Sequence, residues 1–423
     1  MKIISERSIL RGEVLIPTSK SHTIRAVTIS SLARGKSIIG HPLVSSDCLA
    51  AVSAGRLFGA KIDIGDSWEV EGVGGRPHVP ENVVDVKNSG TTLNFFMGTA
   101  ALVEGTTVLT GDEQIVRRPV EPLIEALRGL GAEAYSTRNN GLPPVVVKGR
   151  IRGGKTRFRG LVSQYASSLL IHCPLIEKDS ELEIYDVREK PYIQMTLGWL
   201  DKQGTRYEAS EDLTHIKIYG GQSYHGQDVT VPGDFSSATF FLVAGAIING
   251  DLTLLGLDME DLQGDKRVVS YLKEMGAEIH FEKGGIRIRG GSLKGVELDL
   301  GDTPDALPAM AVAGCFARGK TVIRNVANAR LKETDRISVM AKELGRLGAR
   351  VEELPDGLVI HESGLRGCPV KGYGDHRVVM ALAVAGLAIP DRTEVDTAES
   401  VQVTFPNFVE LMQTVGAKIQ KEG

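Results

Sequence analysis

The stretch "EPLIEALRGLGAEA", residues 121–134, changes period partway along. "EPLIEALRGL" reads as an amphipathic helix, Gly131 as the residue that ends it in a left-handed turn, and the alternation after it as a short strand. The same punctuation recurs as "FGAKI" at Gly59, "QGTRY" at Gly204, "MGAEI" at Gly276, "LGARV" at Gly348 and "VGAKI" at Gly416. Including Gly131, successive glycines lie 72, 73, 72, 72 and 68 residues apart. A fixed period of this length marks a repeated supersecondary unit, and six glycines predict six copies.

The second copy spells out the unit. "NVVDV" reads as a strand, "GTTLNFFMGTAALV" as a helix and "TTVLT" as a strand; the helix above, "EAYST" and "PVVVKG" complete βαβαββ. The first helices of the six units are "SKSHTIRAVTISSLA", "SGTTLNFFMGTAALV", "SQYASSLLIHCPLI", "DFSSATFFLVAGAI", "TPDALPAMAVAGCFA" and "DHRVVMALAVAGLA". All are apolar nearly all the way round after a polar start, which predicts buried helices with outward-facing N-termini. Parallel buried helices would aim several positive dipole ends at one region, a region suited to anions. The fold class is therefore α/β.

Composition excludes other classes. With 423 residues, 42% hydrophobic and 24% charged, the chain is an ordinary globular protein with enough length for two cores. A net charge of −4 argues against a nucleic-acid surface. Cys48, Cys173, Cys315 and Cys368 form no CxxC pair, so neither a metal site nor a disulfide framework is expected. The N-terminus lacks a signal-peptide core and no apolar run reaches membrane-spanning length, which fits a reduced cytoplasmic protein with no membrane partner. "GRIRGGKT", residues 149–156, matches the pattern of a phosphate-binding loop, but no apolar helix follows it and related segments recur in later copies. It reads as repeat architecture.

Cations gather at the helix starts, where the dipole opposes them. Lys20 and Arg25 open the first helix, and Arg117 and Arg118 precede a proline suited to a first helical position. Lys332 and Arg336 stand four apart in "LKETDRI", and His376 and Arg377 open the last buried helix. Each such placement costs a few tenths of a kcal/mol, so an anion is expected to compensate. Asp305 and Glu333 lie among these cations, where a carboxyl can move a proton.

"SKSHTIRA", "NSGTT", "RRP", "SQY", "KPY", "PDA", "NARLKETDR" and "GDHR" stand in an order and spacing that resembles the enolpyruvyl transferases, from about residue 10 to 410. The resemblance implies two domains of three βαβαββ units, residues 20–227 and residues 1–19 with 228–423, with the active site in the cleft between them. It implies transfer of the enolpyruvyl group of phosphoenolpyruvate to the 5-hydroxyl of shikimate 3-phosphate, releasing phosphate, in chorismate and aromatic amino-acid biosynthesis. No metal, cofactor or nucleic acid takes part, and a monomer is expected. By the same resemblance Asp305 is the proton acceptor, Glu333 the proton donor and Lys20 a lysine shared by both substrates. Gly90, Arg118, Gln164, Arg336 and Arg377 resemble phosphoenolpyruvate contacts; Ser21, Arg25, Ser163, Tyr192, Asn328 and Lys332 resemble acceptor contacts. Asn88 and His376 join the binding set through their motifs. Three positions depart from the family: Val162, Glu189 and Val403 stand where it usually has Ser, Ser and Lys. A carboxylate at Glu189 is expected to repel a phosphate. The alternatives are a transferase of this fold acting on another, possibly unphosphorylated, alcohol, or a non-catalytic paralogue. A UDP-N-acetylglucosamine transferase is disfavoured, because "TGDEQIVRRPVEP" lacks the reactive Cys usual there.

Overall fold

Each of the six punctuating glycines ends a helix in the same way. Gly59, Gly131, Gly204, Gly276, Gly348 and Gly416 have φ between 66° and 103°. The pattern is clearest at Gly131, whose N–H donates to Arg128 O at 3.0 Å while that of Ala132 donates to Leu127 O at 3.1 Å. These paired bonds satisfy carbonyls that the helix leaves open, in a backbone region that glycine enters without strain.

The computed structural model describes residues 1–248 and 250–423. The chain divides into a central unit, Thr18–Val231, and a terminal unit, Met1–Pro17 with Pro232–Gly423. Helices of the central unit are α1 (Lys20–Leu32), α2 (Ser46–Leu57), α3 (Gly90–Ala100), α4 (Glu121–Gly129), α5 (Ser163–His172) and α6 (Lys190–Lys202). Those of the terminal unit are α7 (Phe235–Ile247), α8 (Arg267–Glu274), α9 (Leu307–Phe316), α10 (Arg336–Arg346), α11 (His376–Ala388) and α12 (Phe408–Thr414). Each unit has its own apolar core. None of the described helices is long and apolar enough to cross a membrane.

The strands form four-stranded sheets, each with one parallel and two antiparallel pairings. In one of them Val84–Asp85 runs parallel to Thr106–Thr110, which pairs antiparallel with Val145–Lys148, itself antiparallel to Glu133–Ser136. The N-terminal strand Lys2–Glu6 lies between Thr393–Val395 and Lys418–Glu422, tying both ends of the chain into the terminal unit. A methyl group on Gly386 of α11 would fall 2.1 Å from Ser5 Oγ, so only glycine lets this helix settle on that strand. α1, α3, α5, α7, α9 and α11 are buried almost all round, as a mostly apolar circumference requires.

Two local expectations shift. Lys155 and Thr156 of the phosphate-loop pattern lie in the strand Gly154–Arg159, with Lys155 Nζ 2.5 Å from Glu183, so no helix start is present to cradle a phosphate. Pro119 lies outside α4, whose N-cap is Val120 and whose early proline is Pro122.

Candidate active site

Within the central unit, helix starts gather most of the expected residues. Ser19 caps α1 by accepting from His22 N, and Lys20 Nζ reaches Asp47 Oδ2 at 3.1 Å, next to the N-cap of α2. Asp47 is thus the anion that makes Lys20 tolerable at a positive helix end. Arg25 is buried, and its guanidinium donates to Thr196 Oγ1 at 2.9 Å, Tyr192 O at 2.9 Å and Ser21 O at 3.0 Å. Burial lowers its pKa to about 10, partly opposed by Tyr192. These bonds tie α1 to α6 around the predicted Ser21 and Tyr192.

A second group surrounds the start of α3. A Cβ on Gly90 would lie 2.5 Å from Arg118 NH1, so the absence of a side chain is what admits that guanidinium. Gln164 donates to Thr91 Oγ1 at 3.2 Å and accepts from Asn94 Nδ2 at 3.2 Å, which joins α5 to α3. Tyr165 donates to Pro119 O at 2.6 Å and fixes the turn that carries Arg118. Asn88 donates to Asp112 and Gln114 at 2.7 and 2.8 Å, bracing the same turn.

Glu189 is the unexpected member. It has φ 55°, precedes α6 and is 2% exposed. Its Oε2 accepts from Ser163 Oγ at 2.8 Å and Ser163 N at 3.2 Å, the first residue of α5. Val162, the N-cap of α5, has no side chain able to cap, and the carboxylate of Glu189 does so instead. A strained, left-handed residue thus sets an anion on a helix N-terminus.

In the terminal unit the expected cations interleave with carboxylates. Arg336, 1% exposed, donates to Asp305 Oδ1 at 2.8 Å, Asp375 Oδ2 at 2.8 Å and Glu333 Oε2 at 2.5 Å. Asp305 also meets Arg377 NH2 at 3.0 Å and Lys332 Nζ at 3.8 Å. Burial alone would raise the Asp305 carboxyl; Arg377, Lys332 and Arg336 outweigh it and hold it well below the usual carboxylate range. Burial likewise disfavours charge on Arg336, but Asp375, Glu333 and Asp305 more than restore it. The repulsion expected between Lys332 and Arg336 is thereby offset. His376 begins α11, and Asn328 lies on the 3₁₀ turn Ala327–Leu331.

Four acids here had no assigned role in the sequence. Asp375 caps α11 at Arg377 N and Val378 N while gripping Arg336, and only its place in "GDHR" hinted at this. Asp47 follows two serines at a helix start, an ordinary cap signature. Glu343 is fully buried and accepts from Tyr373 OH at 2.8 Å and Lys371 N at 3.0 Å, pinning the loop that leads into Asp375; it lies two turns along α10 from Arg336. Asp265 accepts from Ser236 Oγ, and burial with the charge of Asp305 raises its pKa to about 6, against Arg377 and the serine bond. No sequence signal distinguished Asp265.

Cations and donors at helix starts, and carboxyls held in different charge environments, are the chemistry suited to multiply charged anions and to proton transfer. A family model described as EPSP synthase (3-phosphoshikimate 1-carboxyvinyltransferase) matches residues 4–412. A 3-phosphoshikimate 1-carboxyvinyltransferase of Acetivibrio thermocellus is 56% identical over 409 residues, covering 96% of each chain. That of Ruminiclostridium cellulolyticum is 52% identical over 416 residues, covering 98% of each. Among solved structures, an EPSP synthase from Acinetobacter baumannii matches with a TM-score of 0.84 at 27% identity, covering 99% of both chains. The chain belongs to the EPSP synthase family.

Proposed function

We propose that this chain transfers the enolpyruvyl group of phosphoenolpyruvate to the 5-hydroxyl of shikimate 3-phosphate and releases phosphate. The reading is carried above all by the cluster of Asp305, Glu333, Lys332, Arg336 and Arg377. Addition of the hydroxyl across the enol double bond requires a proton on the methylene carbon and removal of the hydroxyl proton. Glu333 supplies the first and Asp305 accepts the second. Glu333 then takes back one proton of the new methyl group as the phosphate departs with the proton held by Asp305, which restores the double bond and returns both carboxyls to their starting states. Its neighbouring cations keep Asp305 ionised, the form a proton acceptor must hold before it acts.

Arg118, Gln164, Gly90, Arg336 and Arg377 hold phosphoenolpyruvate, and Asn88 and His376 complete the substrate-binding set. Ser21, Arg25, Ser163, Tyr192, Asn328 and Lys332 serve the acceptor, and Lys20 serves both. Residues of both units take part in one reaction. In the same reading, the four-stranded sheets belong to six copies of one βαβαββ unit, and the buried helices direct their N-termini at the substrates. The domains are taken as 20–227 and 1–19 with 228–423, and the enzyme works as a cytoplasmic monomer. Phosphate release from phosphoenolpyruvate with and without shikimate 3-phosphate tests the activity. Release that requires the acceptor is expected; none with it present would overturn the proposal.

A further inference from the structure

Away from the helix starts, the central unit has a basic recess that the reaction does not use. A cavity of about 590 Å³ is lined by Arg34, Arg76 and Arg150, together with Glu104 and Glu177. A second, of about 230 Å³, shares Arg150 and both glutamates and adds Arg152 and Lys178. The floor follows the C-terminal ends of α1, α3 and α5, whose first residues are Lys20, Gly90 and Ser163. Helices of 13, 11 and 10 residues at 1.5 Å per residue put the recess roughly 15–20 Å from those starts.

Arginines near helix C-termini ordinarily offset the negative dipole end. Here that need is already met by backbone. Val73, Gly74 and Gly75 donate to Ser31 O, Ala33 O and Leu32 O at the end of α1, and Ile151 N donates to Ala101 O after α3. Beyond α5, Gly221 N and Gln222 N donate to Ile176 O and Pro174 O. The guanidinium groups are also unspent. Elsewhere in this unit Arg56, Arg128 and Arg138 donate to backbone carbonyls, and Arg159 and Arg188 pair with Asp186. Among the described residues, no hydrogen bond or ion pair reaches the guanidinium of Arg34, Arg76, Arg150 or Arg152. Five cations against two carboxylates leave three positive charges, about half of which would stand even against three helix ends each keeping a full charge of about −0.5. Surplus charge therefore remains in a concave site, within a chain whose net charge is −4.

We propose that this recess binds a small polyanion carrying two or more phosphate or carboxylate groups, at a site separate from the reacting substrates. Arg suits such groups because its planar fork can grip two oxygens at once. Isothermal titration of the full chain with tripolyphosphate, citrate and orthophosphate, each under saturating phosphoenolpyruvate, tests this. One equivalent of tripolyphosphate should bind saturably and more tightly than orthophosphate, and the citrate arm separates phosphate from carboxylate preference. Arg76→Ala with Arg150→Ala should weaken tripolyphosphate binding by about tenfold or more, leaving turnover unchanged. Glu104→Gln with Glu177→Gln should tighten it severalfold. No saturable binding, the same heat from KCl at matched ionic strength, or an affinity indifferent to both double variants overturns the proposal. Should the arginine variant lose its folded melting transition, the glutamine variant decides alone, and unchanged affinity there is fatal.

Discussion

Replacing Glu189 with Ser should tighten binding of shikimate 3-phosphate. In the proposed reading the acceptor phosphate needs the donors of Ser163, and these already serve the Glu189 carboxylate at 2.8 and 3.2 Å. An incoming phosphate must displace a carboxylate whose hydrogen bonds to such donors are worth roughly 1.5–3 kcal/mol each. If the carboxylate stays, two like charges about 5 Å apart at an effective dielectric of about 20 repel by about 3 kcal/mol. Either route penalises the wild type by at least about 1.4 kcal/mol, so Glu189→Ser should lower the Kd by tenfold or more. Glu189→Gln keeps the volume and an acceptor oxygen but loses the charge, so it should fall between the two. Adding Val162→Ser to Glu189→Ser should tighten binding again by supplying another hydroxyl. Titration calorimetry with shikimate 3-phosphate reads the effect, and shikimate, lacking the phosphate, should change less than about threefold. Wild-type binding that weakens in both Glu189 variants at unchanged melting temperature would refute the competition argument. Glu189 would then orient Ser163 for the ligand.

Three further outcomes follow from the charged and buried groups. Glu333→Gln and Asp305→Asn should each cut kcat by about two to four orders of magnitude in protein that still folds, and near-normal steady-state turnover in both would remove them from the proton path. Arg336→Met leaves Asp305, Glu333 and Asp375 facing one another, so urea unfolding should show a loss of about 3–5 kcal/mol; a loss under about 1 kcal/mol would mean that the cluster contributes little to folding. His172 is buried and holds a neutral ring between Ser168 O and Thr99 Oγ1, and burial lowers its pKa from 6.5 to about 4. The unfolded chain protonates this histidine first as pH falls, so it withdraws stability between about pH 6.5 and 4, by about 3 kcal/mol in all. His172→Gln should flatten that part of the stability curve measured by urea unfolding; an unchanged slope would contradict the assignment.

Several features could be read in one dimension because they depend on neighbours along the chain. A glycine that must enter the left-handed region, followed by a strand, leaves its signature within five residues, and Gly131 carries it as clearly as the other five. Burial of α7 or α11 follows from an apolar circumference, whatever the partner. Motifs such as "KETDR" keep Lys332, Glu333 and Arg336 within one turn, so their mutual proximity is also local. The charge balance is not local. Arg336 finds Asp305 and Asp375 at sequence separations of 31 and 39 residues, and spacing along the chain does not reveal that three carboxylates converge on one guanidinium. Glu189 makes the point most sharply. Its sequence position suggested repulsion of a phosphate, but only the packing of α5 beside α6 brings its carboxylate onto Ser163, 26 residues away, and makes it a cap. Periodicity determines which faces are buried, whereas the partner of a buried charge is chosen by chain segments that meet only after folding.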